Sequence, residues 1–134
     1  TNDVDISQLT NSYTYFHESV SHDVALKLMM DADMLINIGN STKFQLPSKL
    51  VEYVCSGTPV LNIISRIDDS SHTFLSNYQM CKTICLTSKI KNDIIREVAD
   101  YIKISSTRSF KQEDTYLRKY SVQNISKQYE LMFY

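Results

Sequence analysis

The sequence predicts an α/β domain: a Rossmann-like parallel sheet with helices on both faces, ending in C-terminal helices. Three observations predict it. Apolar, strand-like runs alternate with amphipathic, helix-like runs along most of the chain, the pattern of parallel strands joined by crossovers. Two of those runs, "DMLINIGN" and "TPVLNII", are nearly continuously apolar, as strands buried on both faces are. The length of 134 residues suits one domain, residues 1–134, with a core of its own.

The elements follow in order. "SYTYFHESV" (Ser12 to Val20) is rich in aromatic and β-branched residues and predicts a first strand. "SHDVALKLMMDA" predicts a helix capped by Ser21, with Val24, Leu28 and Asp31 to Ala32 at helical spacing and Met29 and Met30 as core filling. "DMLINIGN" is a buried strand closed by Gly39 and Asn40. A helix from Pro47 to Cys55 and a strand from Thr58 to Ile64 come next. "DDSSHTFLSNYQ" predicts a helix and "KTICLT" a strand. "SKIKNDIIREVADYIKIS" predicts a long helix with Ile90, Ile94, Ile95, Val98 and Ile102 on one face. The remainder, "SFKQEDTYLRKYSVQNISKQYELMFY", reads as one or two helices with Tyr116, Tyr120, Ile125, Tyr129, Met132 and Phe133 as packing residues.

Composition narrows the function classes. A hydrophobic fraction of 43%, a charged fraction of 22% and a net charge of −1 are ordinary for a globular domain and give no electrostatic case for nucleic acid or an anionic membrane surface. No apolar run is long enough to span a bilayer. Cys55, Cys81 and Cys85 are odd in number and lack zinc-like spacing, so they read as reduced thiols in a cytosolic setting, and no metal is expected. His17, at the end of the first expected strand, reads as packed or solvated, and His22 and His72 as surface residues at helix starts.

The stretch "FQLPSKLVEYVCSGTPVLNI" (Phe44 to Ile63) carries the chemistry. In open α/β sheets ligands sit beyond the carboxyl ends of the strands, where loops lead into helix N-termini. Proline suits the first helical position, and the amides of Ser48 and Lys49 behind Pro47 then lack intrahelical acceptors. With the helix dipole, the Ser48 hydroxyl and the Lys49 ammonium, they suit a phosphate or pyrophosphate. Glu52 lies on the same face about 6 Å further along the axis, placed to accept hydrogen bonds from vicinal sugar hydroxyls. Leu50, Tyr53 and Val54 face the core, and Gly57 stops the helix. The same residues also describe any well-capped helix, and on spacing alone both readings stand. Lys43 is equally a phosphate contact or a solvated lysine.

"ADMLINIGNSTKFQLPSKLVEYVCSGTPVLNI" resembles the C-terminal, donor-binding domain of the two-domain, retaining nucleotide-sugar glycosyltransferases of the GT-B fold class, in their Pro-Ser-Lys branch. The shared features are an Ala-Asp before an apolar strand, a variable loop, Pro-Ser-Lys, an aliphatic-Glu-Tyr helix and a small-Gly-x-Pro-Val. The likeness extends less sharply from Tyr13 to "YSVQNISKQYE". It implies that Glu52 contacts the donor ribose and that Ser48, Lys49 and Leu50 lie beside the diphosphate. It further implies backbone contacts from Gln45 and Leu46 to the hexose and from Ser19 and Val20 to the nucleobase. No catalytic residue is assigned.

The first glutamate of the family's pair falls at Phe44, so the acidic contact to the transferred sugar is missing and the sugar stays open. The family's donor domain also begins with further strands and a basic pair facing the diphosphate, whereas this chain starts at "TNDVDISQL". The resemblance therefore implies a partial domain of a hexosyltransferase-type enzyme, inactive alone, that uses a nucleotide-sugar as substrate and needs no cofactor. A missing N-terminal half would bind a sugar or lipid-linked acceptor, in surface polysaccharide or lipopolysaccharide synthesis. The setting it implies is cytoplasmic, at the inner face of a membrane, with peripheral association of the full-length protein. Other readings are a sugar-nucleotide epimerase of the same fold and a non-catalytic α/β binding module. A phospho-receiver needs an aspartate at a strand's carboxyl end, where "MLINIGN" offers Asn37 and Asn40.

Overall fold

A computed structural model of the chain describes residues 12–16, 18–40, 46–87, 91–107 and 119–121. Its elements are α1 (His22–Asp31), β1 (Leu35–Ile38), α2 (Lys49–Ser56), β2 (Val60–Ile64), α3 (Ser70–Leu75), β3 (Cys81–Cys85) and α4 (Lys91–Thr107). The strands form a parallel sheet in the order β1-β2-β3, with Leu35 opposite Val60 and Val60 opposite Cys81. The fold is thus the expected α/β, Rossmann-like arrangement.

Register decides which side chains share a face. Leu35 and Asn37, Val60, Asn62 and Ile64, and Cys81, Thr83 and Cys85 line one side of the sheet. There Leu35 and Val60 join Leu50 and Val54 of α2, Leu75 of α3, Tyr78 and Met80 in the core, with Met29 and Ala32 packed against it from α1's C-terminal end. Each such aliphatic side chain contributes about 1.5–3 kcal/mol by burial. Lys82 points to the other side, and its ammonium lies 3.2 Å from Glu97 of α4, which places α4 on that face. β2 is the central strand and is buried nearly throughout, whereas Ile36 and Ile38 on β1 are exposed.

Several expectations are corrected. Over the described residues from Ser12 to Val20 there is no regular strand: Thr14 makes an isolated bridge, and Tyr13, Tyr15 and Phe16 are exposed. Aromatic and β-branched residues favour strands by packing on a half-buried pleated surface, and among the described residues no layer covers these. In α1 the inward side is Ala25, Met29 and Ala32, while Val24, Leu28 and Met30 face solvent. Ser21 stands at the cap position but makes no side-chain cap bond. In α4 the inward side is Ile94, Val98, Tyr101 and Ser105, while Ile95 and Ile102 are exposed.

The expected helices after Thr107 lie outside the described residues, except that Tyr120 packs against the core, its ring centroid 5.8 Å from that of Phe74. Ile90 and His17 are also outside them. Among the described residues, Cys55, Cys81 and Cys85 are not joined by disulfides.

Candidate functional site

Chain direction fixes where the Pro-Ser-Lys stretch lies. α2 ends at Ser56, and only Gly57, Thr58 and Pro59 separate it from the start of β2, so its C-terminal end sits at the sheet's amino edge. Eight helical residues rise about 12 Å, which returns the start of α2 to the carboxyl edge. The sharp reversal rests on Gly57, in the left-handed conformation at φ 73°, where a side chain would be strained.

The first turn is tighter than an ideal α-helix. The amide of Leu50 donates to the Pro47 carbonyl at 3.1 Å and that of Val51 to the Ser48 carbonyl at 3.1 Å, both three residues back. Regular helix therefore begins at Lys49, two residues after Pro47, with Ser48 already helical at φ −56°, ψ −33°. The Ser48 and Lys49 amides precede the first donor in this series, and Ser48 makes no side-chain cap bond. Ser48 and Lys49 are exposed, whereas Leu50 is fully buried and its amide is spent on Pro47, so Leu50 belongs to the core.

Glu52 is partly exposed in the second half of this turn, and its carboxylate lies 4.0 Å from Nδ1 of His22. α1 enters β1 through three residues, so its own N-terminal end is likewise at the carboxyl edge. The two helices pack side by side, and Thr58 Oγ1 donates to the Met29 carbonyl at 2.9 Å at their other end. Tyr53 lies beneath Lys49, whose ammonium is 6.0 Å from the ring centroid. Burial, then the charge of Glu52, pushes the Tyr53 hydroxyl above its usual range.

The structure brings Ser48, Lys49 and Glu52 together at one edge. Ser19 and Val20 are exposed on the short segment entering α1, and three extended residues reach about 10 Å, so they lie near the same edge. Leu46 is exposed beside Pro47. Gln45 and Lys43 lie outside the described residues.

The sequence reading missed a buried polar row beside this edge. Asn37 and Asn62 have no exposed surface, and Nδ2 of Asn37 donates to Oδ1 of Asn62 at 2.8 Å. Nδ2 of Asn62 donates in turn to Oγ1 of Thr83 at 3.3 Å. The row ends at α3, where Oδ1 of Asp69 accepts from the Ser71 amide at 2.8 Å, and the Ser71 hydroxyl shares its one proton between Asp69 and Asn62. Oδ1 of Asn37 and Oδ2 of Asp69 are buried without a protein partner. Gly39 makes room for this carboxylate, since a Cβ there would come within 2.5 Å of Asp69 Oδ2. A signal was available: "LINI" and "VLNI" repeat one pattern, and register aligns their asparagines. His72, expected at the surface, has a buried Nδ1.

Among the described residues no group of three or more His, Cys, Asp or Glu could hold a metal ion, and no helix is long and apolar enough to cross a membrane. Comparison with protein-family models, curated proteins and solved structures found no match to the chain.

Proposed function

We propose that the chain is the donor-binding part of a glycosyltransferase that moves a sugar from a nucleotide-sugar to an acceptor, with surface polysaccharide or lipopolysaccharide as the expected product class. The observation that carries the reading is the start of α2. An uncapped first turn at the carboxyl edge presents Ser48 and Lys49 and sets Glu52 one turn along on a partly exposed face. A diphosphate would take the amides and the lysine, and the ribose hydroxyls would donate to Glu52. Ser19, Val20, Gln45 and Leu46 complete the proposed donor contacts, toward base and sugar.

Transfer needs donor and acceptor held in register, and such positioning supplies several kcal/mol of a barrier. On this reading the proposed residues supply the donor side alone, so the 134-residue chain should bind donor without transferring it. Exposed amide and lysine contacts are weakened by salt, and the expected dissociation constant is on the order of millimolar, about 4 kcal/mol. NMR titration of the isotopically labelled chain with uridine, guanosine and adenosine diphosphates tests this. Shifts should concentrate at Ser48 and Lys49, and Glu52→Ala should weaken binding by about 1–3 kcal/mol with an unchanged melting temperature. Submicromolar binding, sugar transfer by the chain alone, or binding indifferent to Glu52 would overturn the reading.

A further inference from the structure

Glu52 reaches its face on a side chain with three rotatable bonds, and on the surface such a carboxylate samples several orientations. Fixing it on a ligand costs conformational entropy unless a neighbour has already done so. The neighbour here comes from a different helix. Nδ1 of His22, the first residue of α1, lies 4.0 Å from Oε1 of Glu52, with side-chain exposures of 66% and 35%. That separation is about 1 Å longer than a direct hydrogen bond, close enough to orient the carboxylate by its field or through one water. The backbones beneath the pair are held, because α1 packs along α2 and the Thr58 hydroxyl ties their opposite ends through Met29. Burial does not account for the position of an imidazole so exposed.

We propose that His22 is a positioning residue for Glu52, holding its carboxylate in the orientation that accepts the ribose hydroxyls of a nucleoside diphosphate. This rests on the donor-site reading of Glu52, and it adds α1 to a site otherwise built on α2. Asn at position 22 would place an amide nitrogen where Nδ1 stands, so His22→Asn should keep the effect that His22→Ala removes.

The test is an NMR titration of the labelled chain and its His22→Ala, His22→Asn, Glu52→Ala and double His22→Ala/Glu52→Ala variants. The probes are uridine, guanosine and adenosine diphosphates and their 2′-deoxy counterparts. His22→Ala should weaken binding of the ribonucleotide about three- to tenfold, the scale of ordering one side chain. It should leave the 2′-deoxy form nearly unchanged and have no further effect once Glu52 is alanine. Thermal melts should be the same for all variants, since neither residue fills the core. If Glu52→Ala weakens binding while His22→Ala does not, or if the His22→Ala loss persists in the double variant, this inference is overturned and the donor site stands. If no nucleotide binds, or Glu52→Ala changes nothing, the donor-site reading fails and the positioning role fails with it.

Discussion

Asn62 has no exposed surface, yet both polar atoms of its side chain are engaged: Oδ1 with Asn37 and Ser71, Nδ2 with Thr83. An asparagine in the central strand would otherwise cost the full desolvation of an amide. Removing it takes the acceptor from the buried Asn37 amide nitrogen, while Ser71 keeps Asp69. Asn62→Ala should therefore lower the unfolding free energy by about 1–3 kcal/mol for the group so stranded, measured by urea denaturation. Replacing both asparagines by leucine should recover part of that loss, because apolar pairs of similar shape can be nearly neutral. A double variant no better than the single one would show that the row is not what stabilises the position.

Among the elements, what the sequence made legible was local, and what it hid was tertiary. The limits of α2 could be read because Pro47 and Gly57 act on their own backbone. The rotation of α4 could not. Its sequence offers two apolar stripes, one with Ile94 and Val98 and one with Ile95 and Ile102, and periodicity alone does not choose between them. Two polar contacts choose: the Tyr101 hydroxyl donates to the Met80 carbonyl at 2.7 Å, and Glu97 pairs with Lys82. Tyr101 continues the Ile94–Val98 stripe, so that stripe turns inward. Val98→Ala should lower stability by about 0.5–1.5 kcal/mol, and Ile95→Ala should stay within about 0.5 kcal/mol of the parent in the same urea assay. The stretch around Tyr15 misled for the same reason as α4. Its composition suits a strand, but strand formation depends on a partner and a covering layer, and neither is written locally.

For the whole molecule, the place where Tyr101 of α4 meets the start of β3 sets a response to alkali. Burial pushes the Cys81 thiol up to about 11 from 9.0, against a smaller pull from Thr83. Burial, reinforced by the charge Cys81 would carry, pushes the Tyr101 hydroxyl up to about 12 from 10.0, against a smaller pull from the Val60 backbone N–H, which favours the phenolate. In both groups the folded state favours the neutral form, so their contribution is fully present below about pH 9 and is lost as pH rises through 9 to 12. The urea midpoint should fall across that window, and less steeply in Tyr101→Phe. A flat profile would contradict it. The strand order has a kinetic consequence as well. β1 and β3 do not pair, and each meets β2 across a similar length of chain, 25 positions for Asn37 with Asn62 and 21 for Asn62 with Thr83. Closing two such loops differs in entropy by only about 0.2 kcal/mol, so chain length does not decide which neighbour joins first. Either route must begin with β2. Leu61→Ala should accordingly slow refolding by a larger share of its stability loss than Leu35→Ala does, because the outer strand can arrive after the barrier but the shared one cannot.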